Sequence, residues 1–130
     1  MPLPPEDQAK FKSLYLQTAR DYLKEMKGNF SQLLTGNKTD AVIDAIHIAA
    51  HSLKGQSAMM DYTSMVAVST LIEDAFKKEK EEIKKWSNEF LQALNKAALE
   101  MEESMNEIDK NNKEKDLSSV VKDLQAFINE

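Results

Sequence analysis

Apolar residues in this chain recur three or four positions apart through almost its whole length, the spacing of one helix face. In the first segment they fall at Phe11, Leu14, Tyr15, Thr18, Ala19, Tyr22, Met26, Phe30, Leu33 and Leu34. This predicts a helix over about 6–34, entered at Pro5 or Glu6, where a proline costs no hydrogen bond. Gly28 is absorbed inside it, and Thr35-Gly36-Asn37 stops it with glycine near the C-cap. A second helix, about 40–60, opens on a Thr39 or Asp40 cap. It turns Val42, Ile43, Ile46, Ala49, Ala50, Leu53, Ser57 and Met60 to one side. Asp61-Tyr62-Thr63 reads as a tight turn. The third helix, 64–80, capped by Thr63 or Ser64, would bury Val66, Ala67, Ser69, Thr70, Ile72 and Phe76.

Lys77 to Lys85 is almost wholly charged, which suits a solvated connection. An unbroken helix from 63 to 108 would reach ~68 Å, so a break is expected near Lys80. The fourth helix, 83–109, then carries Ile83, Trp86, Phe90, Leu91, Leu94, Ala97, Ala98, Met101, Met105 and Ile108. After a loop at Asp109–Lys113, Asp116 caps a short fifth helix, 117–129, with Val120, Val121, Leu124, Phe127 and Ile128. The expected fold is all-α: an antiparallel four-helix bundle with an additional C-terminal fifth helix, one domain over 1–130.

Composition narrows the chemistry. At 130 residues the chain can bury one core but has no room for a nucleotide-binding kinase domain as well. Seventeen Lys and Arg against 22 Asp and Glu give a net charge of −5, which argues against nucleic acid as a partner. The absence of cysteine excludes disulfides and thiolate metal sites. Neither a membrane-length apolar run nor a signal peptide is present, so a cytoplasmic protein away from the membrane is expected. The seven methionines, Met59, Met60 and Met65 among them, read as gap-filling core.

The two histidines, His47 and His51, both fall on the second helix. At 100° per residue His51 lies about 160° from the core residue Leu53, so Asp44, His47, His51, Gly55 and Ala58 share the solvent side, flanked by Lys54 and Ile48. Gly55 weakens the helix without serving the core, yet clears space beside the imidazole. Lys54 brings a positive charge. An exposed imidazole, a cleared neighbour and an adjacent cation suit a phosphoryl group in transit. His51 and Glu73 stand equally far from Tyr62 at the turn, so an antiparallel hairpin brings them to one height. Glu73 can then accept from Nδ1–H and leave the Nε2 lone pair outward for attack on phosphorus. Two other readings stay open. Asp44, His47 and His51, at i, i+3 and i+7, could hold a metal. Alternatively, the bundle is a non-catalytic interaction module.

His51-Ser52-Leu53-Lys54-Gly55, preceded by Ala49-Ala50, resembles the phosphoacceptor signature of histidine phosphotransfer (HPt) domains. The stretch from Ile46 through Glu73 to Phe76 is similar to the N-terminal phosphotransfer domain of chemotaxis histidine kinases of the CheA type. The resemblance implies that His51 is phosphorylated, Lys54 stabilises the phosphoryl oxygens, Gly55 gives a partner clearance and Glu73 orients the imidazole. It implies as partners a histidine kinase ATP-binding domain, which phosphorylates His51, and a response-regulator receiver domain, whose aspartate takes the phosphoryl group. No cofactor is expected on this domain; ATP and Mg²⁺ come with the partners. Three residues depart from the pattern: Asp61 in place of a turn glycine, Ile48 in place of a frequent Arg, and Thr70 where some members have a second His.

Overall fold

Five helices account for most of residues 2–81 and 84–130, which the computed structural model describes, and no strand occurs among them. They are α1 (Pro5–Leu34), α2 (Asp40–Met59), α3 (Thr63–Lys80), α4 (Asn88–Asn111) and α5 (Ser118–Ile128). The first four pack in sequence around one core, with α1 also against α4, and α5 lies across α3 and α4. The all-α bundle with a fifth helix is therefore the observed architecture.

Local chemistry explains most of the boundaries. Pro5 occupies the first turn of α1, and Gly36, at φ +93°, takes the left-handed conformation that ends it. The Thr39 hydroxyl accepts from the Val42 amide at 3.2 Å and starts α2. Asp61 adopts φ +61° between α2 and α3, while the Asp61 and Tyr62 amides donate to the Ala58 and Ser57 carbonyls. Aspartate tolerates left-handed backbone better than most residues, so the turn closes without glycine.

Several expectations need correction. The fourth helix begins at Asn88, not at 83, because the Ser87 hydroxyl caps it by accepting from the Phe90 amide at 3.1 Å. Trp86 lies before that helix, buried, with its indole N–H on the Ala75 carbonyl at 2.9 Å; Ile83 falls outside the described residues. At its other end α4 runs past Asp109 to Asn111 and stops at left-handed Asn112. The third helix is capped by neither Thr63 nor Ser64. Glu114, from the α4–α5 loop, accepts from the Ser64 and Met65 amides, both at 3.1 Å. The α5 cap position belongs to Leu117, although the Asp116 carboxylate accepts the Ser118 amide at 2.9 Å.

The core seam is also rotated from the expected one. On α1, Leu16, Ala19, Leu23, Met26, Phe30 and Leu33 point inward, whereas Phe11 and Leu14 are exposed. Leu14 stands ~200° round the axis from Leu16, so a helix buried on Leu16 must show Leu14 to solvent. On α3, Met65, Val68 and Ala75 join Ser69, Ile72 and Phe76 inside, and Val66, Ala67 and Thr70 are only half-buried. Met60 and Met65 are core, but Met59 is exposed. Glu79, within the run read as a solvated connection, is buried in the last turn of α3.

Candidate functional site

The α2–α3 hairpin brings His51 and Glu73 together. The imidazole Nδ1 lies 3.1 Å from Glu73 Oε1. The histidine side chain is 65% exposed and the glutamate side chain 13%, so a largely sheltered carboxylate holds one edge of a ring whose other edge faces solvent. As hydrogen-bond acceptor, a charged carboxylate selects the Nδ1–H tautomer of a neutral ring. Lys54, one turn along α2, sits at 3.1 Å from Oε1 and 2.8 Å from Oε2 of the same group. Burial alone would raise the Glu73 pKa, but the hydrogen bonds from Lys54 and His51, with their charges, outweigh it and hold the carboxyl below its ordinary value.

This geometry changes the immediate task of Lys54. Its ammonium neutralises and pins Glu73, so its first action on the imidazole passes through that carboxylate. Gly55 is exposed, and a Cβ built on it would meet nothing within 4 Å. No contact within the chain therefore requires glycine here. What the missing side chain leaves is open surface beside the ring. Thr70 donates its hydroxyl to the Val66 carbonyl of its own helix at 2.7 Å and stays out of the site. Ile48 is exposed one turn before His51.

The residues offered as metal ligands do not assemble. The Asp44 carboxylate is bound by Lys80 across the hairpin, and His47 is half-buried. Among the described residues no group of three His, Cys, Asp or Glu side chains could hold a metal ion.

One cation escaped the sequence reading. The register that pairs His51 with Glu73 and Asp44 with Lys80 places Lys77 opposite His47, one turn beyond Glu73 and exposed. The signal was present in the hairpin spacing, but Lys77 begins a charged run that looked like plain solvation. Lys54 and Lys77 thus flank the imidazole along the hairpin, one on each side of its height.

A bundle that presents an oriented imidazole on its surface has the form of a phosphotransfer module that works on the surfaces of other proteins. The family model described as the Hpt domain matches residues 10–110, and the chain belongs to that family. Its place is accordingly in phosphorelay two-component signalling, where Hpt domains pass phosphoryl groups between kinases and response regulators. No curated protein sequence matches the chain significantly. No helix among the described residues is long and apolar enough to cross a membrane.

Proposed function

We propose that His51 is the phosphoacceptor of a relay of the chemotaxis-kinase type, acting in the cytoplasm where a kinase domain finds ATP. The observation that carries this reading is the 3.1 Å contact between Nδ1 of an exposed His51 and Glu73. With Nδ1–H donated to the carboxylate, the Nε2 lone pair attacks the γ-phosphorus of ATP held by a kinase domain. The N–P bond forms, the bond from phosphorus to the β,γ-bridging oxygen breaks, and ADP leaves. The imidazole keeps its Nδ1 proton throughout, and Glu73 stabilises the positive charge that grows on the ring. In the second transfer an aspartate oxygen of a receiver attacks the same phosphorus, the N–P bond breaks, and neutral His51 returns. Both steps ask chiefly for position and charge neutralisation, with ATP and Mg²⁺ supplied by the partner domains.

The surroundings favour this role over a purely structural bundle. With Lys54 held against Glu73, exposed Lys77 adds a positive charge to the hairpin that suits an acidic partner site. Exposed Ile48 and Met59 on α2, with Phe11 and Leu14 on α1, offer the apolar contact that a docking domain needs. Incubation with a histidine kinase and labelled ATP should yield an acid-labile, base-stable phosphoprotein, and His51→Gln should abolish it. Undiminished labelling of that variant would remove His51 from the reaction.

A further inference from the structure

The methionines among the described residues divide sharply by their surroundings. Met26, Met65, Met101 and Met105 are fully buried and Met60 is 4% exposed, whereas Met59, the last residue of α2, is 50% exposed. The five buried thioethers fill gaps in the core, the ordinary use of this flexible side chain. Met59 fills no such gap. It forms one wall of an open apolar groove of about 530 Å³ between α1 and α2, with Phe11, Leu14, Tyr15 and Met60.

The groove lies beside the reactive imidazole. Met59 follows His51 by eight residues on the exposed side of α2, about 12 Å further along the axis. A protein partner of ordinary size covers about 800 Å² on each side, a patch roughly 30 Å across. A receiver centred on Nε2 therefore reaches Met59. The apolar surface it can dehydrate is on this side too. Of the large apolar residues exposed among the described ones, Phe11, Leu14, Ile48 and Met59 lie on α1 and α2, and Leu99 alone lies on α4.

An exposed thioether has its own chemistry. Its sulfur lone pair attacks one oxygen of a peroxide, the O–O bond breaks and an S–O bond forms. For hydrogen peroxide the other oxygen leaves as water, carrying both protons. Sulfur is oxidised by two electrons and the peroxide is reduced by two. The sulfoxide is strongly hydrated, so a partner that covers it must strip water from a polar group. The core keeps its packing, because the oxidised side chain is not part of it.

We propose that Met59 is a modification site at which peroxides form the sulfoxide, and that this sulfoxide weakens docking of a receiver beside His51. The docking half rests on the reading of His51 as phosphoacceptor. Oxidation would then tune the relay through partner affinity, leaving fold and imidazole chemistry as they are.

Two measurements on the full chain test this. The chain is treated with hydrogen peroxide, the peroxide is removed, and each methionine is read by peptide mass mapping. Met59 should gain an oxygen at least about 10-fold faster than Met60 or Met65. Equal rates, or earlier oxidation of a core methionine, overturn the site. Treated and untreated chains are next phosphorylated on His51 with phosphoramidate and mixed with a single-domain receiver and Mg²⁺. Labelling should match between them; weaker labelling after treatment places the damage at the imidazole and overturns the proposal. Transfer from the treated chain should be about 3–10-fold slower at sub-saturating receiver and equal at saturation, the mark of lost binding rather than lost chemistry. Met59→Leu, apolar but without sulfur, should transfer at the same rate before and after treatment. Unchanged transfer from the oxidised wild type, or equal slowing of treated Met59→Leu, overturns the docking effect and leaves the relay intact. If phosphoramidate fails to label His51 in the untreated chain, the relay reading falls and the proposal with it.

Discussion

Oε1 of Glu73 is shared by His51 Nδ1 and the Lys54 ammonium, which also lies 2.8 Å from Oε2, so the three groups form one coupled unit. Because the carboxyl is held below its ordinary range, it stays charged as pH falls toward that range. Its stabilising contribution is present above the unfolded carboxylate pKa of ~4.3 and is lost only as pH drops through the lower folded value. Glu73→Gln keeps the shape but loses the charge that fixes the tautomer and favours the developing imidazolium. It should slow His51 phosphorylation by about 10-fold or more, with helix content by circular dichroism unchanged. A full-speed variant would take Glu73 out of the mechanism. Lys77 is exposed one turn beyond Glu73 on α3, so Lys77→Glu should lower the phosphorylation rate several-fold, roughly 3–10-fold at low salt. Raising ionic strength should shrink the difference, because exposed charges are screened within about 8 Å at physiological salt.

At the scale of elements, the α2–α3 hairpin depends on a group from a distant loop. The amides that open α3 have no side-chain cap of their own, and Glu114 supplies one from fifty residues away in sequence, accepting from Ser64 and Met65. A carboxylate at a helix N-terminus combines hydrogen bonding with favourable interaction with the helix dipole. Glu114→Ala should therefore destabilise the chain by about 1–2 kcal/mol in urea unfolding, through loss of the cap. Because the cap holds the start of α3 and Glu73 lies ten residues further along the same helix, the variant also tests how tightly the hairpin register is held. Broadening of the His51 ring resonances would reveal a loosened register. Trp86 anchors the far end of α3 in a similar way, with its indole on the Ala75 carbonyl and its ring centroid 4.4 Å from that of Phe90. Residues outside the third helix thus bind backbone groups in both its first and its second half.

For the whole molecule, the buried charge to consider is Glu79. It is 8% exposed, one of its oxygens has no hydrogen-bond partner among the described residues, and Lys38 and Lys85 offset its burial only in part. Desolvation pushes its pKa up, so the folded state binds this proton more tightly than the unfolded chain. Its relative contribution is then best at low pH and is lost as pH rises through the raised folded value, leaving a penalty at neutrality. Glu79→Gln should melt at a higher temperature than the wild type at pH 7. The gap should close as pH approaches the ordinary carboxylate range near ~4.3, where Glu79 is itself protonated. A gap that is constant across pH would point to packing rather than charge.

The all-helical content, the breaks at Gly36 and Asp61, and the pairing of His51 with Glu73 were legible from the chain itself. Helical periodicity and turn residues act over a few positions, and an antiparallel hairpin with a marked turn leaves little freedom in register. Tertiary packing decided what such short-range rules leave open. It chose Leu16 and Leu23 over Phe11 and Leu14 as the buried seam of α1, since rotation about a helix axis is settled only by the neighbours it meets. It moved the start of α4 to Asn88, brought Glu114 onto α3, and turned Lys54 toward Glu73. These are contacts between residues 19 to about 50 positions apart, or between elements whose relative rotation no local pattern encodes. The motif around His51 was legible in the chain; the packed bundle determined which charges surround that imidazole.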